Sequence, residues 1–239
     1  MPLHRLPRPA NGRPVNYRMA AKAERGEIFL YDIIGSSWFG GISADQFRRD
    51  LRAMGAVKTI DLHINSDGGD VFDGRAIYSL LQEHEARIVV HVDGLAASIA
   101  SLIAMAGDEI RMGEGTFMMI HNAWGVSVGE SKEMRRTADL LDSVTSQIRD
   151  TYATRTGNTD AQLRTWMDEE TWLTAADAKA NGFADVVAEP VKAAALVIRD
   201  LVPAKGGRTV RAEERFRHLP APLRPNRARA EAAIAALRR

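Results

Sequence analysis

Apolar segments with strand composition alternate along this chain with segments of helical periodicity, and this alternation restricts the possible folds more than any other feature. Several strand-like segments end in glycine and are followed by amphipathic segments. This order implies βαβ crossovers and a mostly parallel sheet, which define the α/β class. The predicted strands cover residues 26–35, 58–69, 87–94, 109–113 and 116–123. The predicted helices cover residues 43–55, 70–85, 96–106 and 130–157. Residues 159–187 are predicted to hold two short helices and a last strand.

Two of the predicted strand-to-helix junctions carry residues that a plain turn does not need. One is NSDGGD at 65–70, and the other is VDGLAAS at 92–98. In parallel sheets, functional sites gather where the carboxyl ends of strands meet the N-termini of helices. The second junction belongs to the most apolar segment of the chain, 91–107, which contains Ser98 and Ser101. Both serines are small enough to serve close helix packing alone, so a chemical role for either one needs partners elsewhere in the chain.

A serine nucleophile needs a histidine base and backbone N–H donors for the oxyanion. His121 ends the apolar strand segment TFMMI and opens the turn HNAWG, so its ring can project from a strand terminus. Gly68 or Gly69 can bring a backbone N–H close to a reacting carbonyl, and the N–H of Ile99 would lie just after the nucleophile. A plain glycine turn is the alternative for that segment. The chain has no cysteine, which excludes a cysteine nucleophile, a thiolate zinc site and disulfides.

Four segments of the chain together resemble the successive signatures of the Clp protease proteolytic subunit. They are INSDGG at 64–69, GLAASIASLIAMAG at 94–107, MMIHNAWG at 118–125 and ETWLTAADAKANGFAD at 170–185. The resemblance covers about residues 26–188 in the right order and spacing, which makes the set specific although each motif alone is weak. Within the family, the fit is best to the phage-encoded branch described as prohead or head-maturation proteases.

The resemblance implies a ClpP/crotonase-type spiral of βαβ units with a long handle helix, which the segment 130–157 matches. Carried over residue by residue, it implies Ser98 as the nucleophile and His121 as the general base. It also places the oxyanion donors at Gly69 and Ile99.

The third member of the implied triad departs from the family pattern. The family has an aspartate two residues before the aromatic of its last motif, and counting back from Trp172 places Glu170 there. A glutamate can orient a histidine, but its extra methylene requires a different backbone position. Asp168 is the alternative acid.

The expected function is that of a serine endopeptidase that cleaves capsid or scaffold proteins during phage head maturation. The resemblance implies a homo-oligomer, commonly a heptameric ring stacked in pairs, with the active sites facing an interior chamber. Neither a metal nor an organic cofactor is expected, and nucleic acid is not the expected partner. The expected location is the bacterial host cytoplasm or the prohead.

Two other functions stay open. One is a general Clp proteolytic subunit that works with an ATP-driven unfoldase, and the other is an assembly or scaffold component whose triad has decayed at Glu170. A crotonase does not need the Ser98 and His121 pair. A Ser/Lys dyad is disfavoured because the nearest lysines, Lys58 and Lys132, lie outside the matching motifs.

Charge divides the chain into a basic N-terminal segment (1–25), a protease domain (26–190) and a basic C-terminal extension (191–239), and both terminal segments are expected to be flexible. Residues 205–239 hold ten Lys and Arg, whereas residues 26–204 hold 16 basic and 27 acidic residues, a net charge of −11.

The first residues lack the apolar core of a secretory signal, and no uncharged run reaches the length of about 18 residues that a membrane span needs. We therefore expect a soluble intracellular protein.

Overall fold

The computed structural model describes residues 16–35 and 41–189, and these residues form one sheet of eight strands with six helices. The strands are β1 (Tyr17–Lys22), β2 (Arg25–Leu30), β3 (Thr59–Ser66), β4 (Arg87–Ala97), β5 (Glu109–Gly113), β6 (Phe117–Ile120), β7 (Thr171–Thr174) and β8 (Val186–Ala188). The helices are α1 (Ala44–Met54), α2 (Val71–Gln82), α3 (Ile99–Ala104), α4 (Ser131–Thr156), α5 (Asp160–Asp168) and α6 (Ala175–Ala180). The predicted α/β class is confirmed, and the sheet and helices are consistent with a ClpP-like fold.

The sheet is mostly parallel, and β4 is the strand that brings its two parts together. The main order is β1-β2-β3-β4-β5-β8, while β6 pairs with β4 and with β7. Residues Val89–Val92 of β4 pair with β5, whereas residues Leu95–Ala97 pair with β6. Because β4 and β6 run parallel there, the residues that follow these two strands lie side by side.

Alternation along β4 separates the core from the outer face of the sheet. Ile88, Val90 and Val92 are buried, whereas His91 between them is half-buried on the opposite face. Burial of an aliphatic side chain of this size stabilises a fold by about 1.5–3 kcal/mol. All six residues of α3 are buried, which explains why the segment after Ser98 is the most apolar of the chain.

Local signals define α1 at both ends. Its N-cap Ser43 accepts a hydrogen bond from the N–H of Gln46, and Gly55 ends the helix at a φ of 74°. The side chains of Phe47 and Leu51, four residues apart, are both buried. The predicted helix over 43–55 therefore agrees with the structure.

Several predicted boundaries and elements differ from the structure. The strand predicted over 87–94 continues to Ala97, and the helix predicted from residue 96 begins at Ile99. Strand β7 was not predicted, because four residues paired only with β6 carry little local signal. Strand β1 lies inside the segment 1–25 that was predicted to be flexible, and it forms an antiparallel pair with β2. Its mostly exposed residues gave no alternation to detect.

The long helix α4 is buried only toward its C-terminal end. Ile148 and Tyr152 belong to the core, whereas Met134 and Leu140 are exposed. Among residues 16–35 and 41–189, no helix combines the length and apolarity needed to cross a membrane. The predicted C-terminal extension, 191–239, lies outside the described residues.

Candidate active site

Ser98 occupies a strained backbone position between the end of β4 and the start of α3. Its φ is 54° and its ψ is −127°, a region that residues with a Cβ adopt rarely. Such a conformation costs about 1–3 kcal/mol and persists only where the surroundings enforce it. The N–H of Ser98 donates to the carbonyl of Met119 in β6 at 2.9 Å, so the pairing of the two strands holds this residue in place.

His121 follows the last residue of β6, and its ring faces the hydroxyl of Ser98. The distance from His121 Nε2 to Ser98 Oγ is 2.7 Å, a short hydrogen bond between a potential nucleophile and a potential base. The parallel register of β4 and β6, which sets Ala97 beside Met119, explains the approach. The structure thus brings together two residues that are 23 positions apart in the sequence.

The second serine of the segment, Ser101, has a structural position. It is fully buried, its hydroxyl donates to the carbonyl of Ser98, and it lies 2.8 Å from the hydroxyl of Tyr152 in α4. Since a hydroxyl has one proton, Tyr152 is the donor in that second bond. Burial raises the pKa of Tyr152, which keeps this donor protonated. Ser101 therefore links the backbone at Ser98 to α4.

The two candidate acids occupy different places. Glu170 Oε2 lies 3.8 Å from His121 Nδ1, on the side of the ring away from Ser98. Asp168 Oδ1 instead accepts a hydrogen bond from Asn122 Nδ2 at 2.7 Å. Glu170 is therefore the acid next to the histidine, although its carboxylate is half exposed and beyond hydrogen-bond distance.

The glycine loop after β3 packs directly against Ser98. A Cβ atom at Gly68 would lie 2.7 Å from Ser98 Cβ, so only glycine allows this approach. The N–H of Gly68 donates to Ser66 Oγ at 3.1 Å. Within the described residues, no hydrogen bond from the N–H of Gly69 or of Ile99 is seen, which leaves these two donors for an oxyanion.

The backbone of Ile34 holds the same loop from the other side. Its N–H donates to the carbonyl of Gly68 at 2.8 Å, and its carbonyl accepts from the N–H of Asp70 at 2.9 Å. Gly69 between them has a φ of 144°. The position of a possible oxyanion donor is therefore determined by contacts with the chain after β2.

An apolar cleft of about 230 Å³ lies beside the loop and α3. Its lining residues come from the start of α2, from α3 and from α4, and they are Val71, Phe72, Arg75, Leu102, Ser143, Val144, Gln147 and Ile148. Phe72 is 62% exposed at its edge. The cleft could not be predicted from the sequence, because three separate helices form it.

Two further residues, Asn122 and Trp172, contact the candidate acids and were not predicted as site residues. Asn122 binds Asp168, and Trp172 Nε1 donates to Glu170 Oε1 at 3.3 Å. Asn122 directly follows His121, and Trp172 is two residues after Glu170. This closeness in sequence was the available signal that either residue belongs to the site.

The protonation of His121 is expected to control the reactivity of Ser98. Burial lowers the pKa of His121 below its ordinary value of 6.5, and the negative charge of Glu170 raises it in part. Only the neutral ring can accept the serine proton, so reactivity is present above this pKa and is lost as the pH falls through it. The rate of labelling by a fluorophosphonate should therefore rise with pH in one step with its midpoint below 6.5.

Thermal unfolding over the same pH range is the control for that measurement, since unfolding would also abolish labelling. A midpoint above the ordinary histidine value in the folded protein would contradict the prediction, because it would mean that the charge of Glu170 outweighs burial.

Comparison with known proteins places this geometry in a family. Residues 23–191 match the Clp protease family. The chain is 31% identical over 145 residues to the ATP-dependent Clp protease proteolytic subunit of Chlorella vulgaris. The matched region covers 59% of this chain and 72% of the relative. It is 29% identical over 139 residues to the subunit of the same description from Bacteroides fragilis, covering 57% of this chain and 67% of the relative. With more than half of its length matched, the chain belongs to the Clp protease family, whose proteolytic subunits are serine peptidases.

Proposed function

We propose that this chain is a serine endopeptidase with Ser98 as its nucleophile, His121 as its general base and Glu170 as the acid that orients the base. The observation that carries the proposal is the 2.7 Å contact between Ser98 Oγ and His121 Nε2, at a serine held in a strained junction. A structural serine does not need either feature. The family match over residues 23–191 supports a protease domain over 26–190.

The proposed reaction has two halves. Ser98 Oγ attacks the peptide carbonyl carbon, and His121 Nε2 takes the hydroxyl proton as the new C–O bond forms. The N–H groups of Gly69 and Ile99 bind the resulting oxyanion. The C–N bond then breaks, and His121 returns the proton to the leaving amine. In the second half, a water molecule attacks the acyl-enzyme, and His121 takes a proton from this water. The proton passes to Ser98 Oγ as the ester bond breaks.

Glu170 stabilises the imidazolium that forms in each half. In the described structure its carboxylate is 3.8 Å from His121 Nδ1, so a shift of about 1 Å would complete a hydrogen bond of normal length. Catalytic hydrogen bonds are often long without substrate and shorten in the complex. Asp168 has a different role in this proposal, since its bond to Asn122 ties the segment before Glu170 to the residue after His121.

The substrate is a polypeptide, and the apolar cleft is the proposed place for one of its side chains. Val71 in the cleft is two residues after Gly69, and Leu102 is four residues after Ser98, so the cleft is lined by residues that closely follow the proposed site residues in the chain. Val144 and Ile148 supply an apolar wall from α4. An apolar substrate residue would displace water from this surface.

We further propose that the protease matures the heads of a phage or prophage, acting on capsid or scaffold proteins in the host cytoplasm or in the prohead. The motif set most like the phage-encoded branch supports this role, and so does the basic extension at 205–239. Clp proteolytic subunits form rings, and we propose a heptameric ring or stacked rings here. The exposed Met134 and Leu140 of α4, with Val126 and Val128 before it, support contacts between subunits.

The curated relatives favour a second candidate, since both are described as subunits of an ATP-dependent protease. A subunit of that kind would depend on an ATP-driven unfoldase to cleave a folded protein. The two roles therefore differ in what the purified chain can cleave alone.

Incubation of the purified chain with the purified capsid and scaffold proteins of its own phage or prophage tests the proposed role. We expect cleavage of one of them with the wild-type chain and none with Ser98→Ala, without an added ATPase. Cleavage that requires ATP and an unfoldase would instead favour the general Clp subunit. A folded, assembled chain that neither cleaves these proteins nor reacts with a fluorophosphonate would favour a decayed assembly component.

A further inference from the structure

The carboxylate of Glu170 has a neighbour on each of its two oxygens. Oε2 faces His121 Nδ1 at 3.8 Å, and Oε1 accepts a hydrogen bond from the indole N–H of Trp172 at 3.3 Å. Within the described residues, Trp172 is the side chain that donates a hydrogen bond to this carboxylate. The indole therefore fixes which oxygen of Glu170 is turned toward the histidine.

A glutamate at this place needs such a neighbour. Its side chain has one more rotatable bond than aspartate, and half of it is exposed, so a free carboxylate would sample several rotamers in water. Only rotamers with an oxygen near Nδ1 can orient the imidazole. A donor that holds one oxygen reduces the number of competing rotamers.

The backbone around Glu170 is already determined. Its φ of 51° lies in the left-handed region, and the hydroxyl of the next residue, Thr171, donates to the carbonyl of Trp166 at 2.8 Å. Strand β7 sets Trp172 opposite Met119 and Thr171 opposite Ile120, directly before His121. The positions of Glu170 and Trp172 are therefore set by the pairing of β7 with β6, the strand that His121 follows.

We propose that Trp172 is a positioning residue, whose indole N–H holds the Glu170 carboxylate in the rotamer that faces His121. In the part of the chain that the structure describes, no hydrogen bond or ring contact joins Trp172 to Ser98 or His121, so it acts through Glu170. The inference rests on the proposed function, which assigns Glu170 as the orienting acid. It also accounts for the use of glutamate at this position, because the donor compensates for the freedom of the longer side chain.

The test replaces Trp172 with phenylalanine, which keeps an aromatic side chain suited to a strand and removes the N–H donor together with the five-membered part of the indole ring. Trp124→Phe is the matched control. It is the same chemical change three residues after His121, and within the described residues no hydrogen bond of the Trp124 indole is seen. Both variants should fold, since their wild-type side chains are 40% and 57% exposed.

Two readouts separate positioning from structural support. The first is the pKa of His121, followed by NMR of histidine-labelled protein, and the second is the rate of fluorophosphonate labelling at neutral pH. We expect Trp172→Phe to lower the His121 pKa and to slow labelling by about threefold to tenfold, the equivalent of one modest hydrogen bond. Trp124→Phe should change neither quantity.

The double variant Trp172→Phe/Glu170→Gln completes a cycle. If Trp172 acts through Glu170, the tryptophan change has no further effect on the His121 pKa once the carboxylate is gone. An unchanged pKa in Trp172→Phe would overturn the inference, and so would a decrease of equal size in the Glu170→Gln background.

The outcome for Glu170→Gln distinguishes failure of the inference from failure of the proposed function. If Glu170→Gln lowers the His121 pKa and slows labelling while Trp172→Phe does not, only the inference fails. If Glu170→Gln has no effect on either quantity, the assignment of Glu170 fails and the role of Trp172 fails with it. The NMR titration tests the roles of Glu170 and Trp172 even if Ser98 does not react with the fluorophosphonate.

Discussion

Ser98→Ala is expected to remove the peptidase activity and the covalent reaction with a fluorophosphonate. The hydroxyl that faces His121 at 2.7 Å is the only group that the substitution deletes. Loss of the nucleophile in a serine protease lowers kcat by about 10⁶, which reduces turnover to the background of the assay. Alanine has the same backbone restrictions as serine, so the strained junction should be retained at similar stability.

Intact mass spectrometry before and after treatment with the probe checks this expectation. The wild-type chain should gain one adduct per subunit, and the variant should gain none. Ser101→Ala is the control, since it deletes a hydroxyl from the next serine along the same segment. It should lose about 1–3 kcal/mol of stability, because two hydrogen bonds are removed and the buried Tyr152 hydroxyl loses its partner, yet still gain one adduct. An adduct on Ser98→Ala would contradict the assignment of the nucleophile.

Gly69→Ala is expected to slow turnover by about 10²–10³, the usual effect of losing one oxyanion donor. A Cβ atom at Gly69 would lie 2.1 Å from the carbonyl oxygen of Ile34. That oxygen belongs to the backbone and already accepts a hydrogen bond from Asp70, so no rotamer change relieves the collision. The loop must move, and the N–H of Gly69 moves with it.

Gly115→Ala separates this collision from backbone strain. Gly115 also has a positive φ, 82°, but a Cβ atom there meets nothing within 4 Å. It should lose about 1–2 kcal/mol of stability from strain alone and keep its rate of reaction. The measurements are kcat on a peptide ester and the unfolding temperature of both variants. A wild-type kcat in Gly69→Ala would show that this N–H does not bind the oxyanion.

Local chemistry made parts of this fold predictable. Helix α1 begins after Ser43 and ends at Gly55 because a capping hydroxyl and a glycine act within one turn of the chain. The end of β4 was not predictable in this way. Residues Leu95–Ala97 look like the start of an apolar helix, and they form a strand because β6 lies beside them.

The candidate site shows the same division. The four motifs in their order predicted Ser98 and His121 as site residues. The contact between these two residues depends on the parallel register of β4 and β6. The choice between Glu170 and Asp168 depended on spacing alone in the sequence. In the structure, Asn122 binds Asp168, and only Glu170 lies beside His121 Nδ1.

The α/β alternation, the family and the residue types that serine chemistry needs could be predicted from the sequence, because periodicity, caps and motifs are properties of short segments. The contact between Ser98 and His121, the place of Glu170 beside that ring and the apolar cleft could be seen only in the tertiary structure. These features join residues that are tens of positions apart, and strand pairing and helix packing set the distances between them. Trp172 belongs to this second group, since its proposed role exists only through the contact with Glu170.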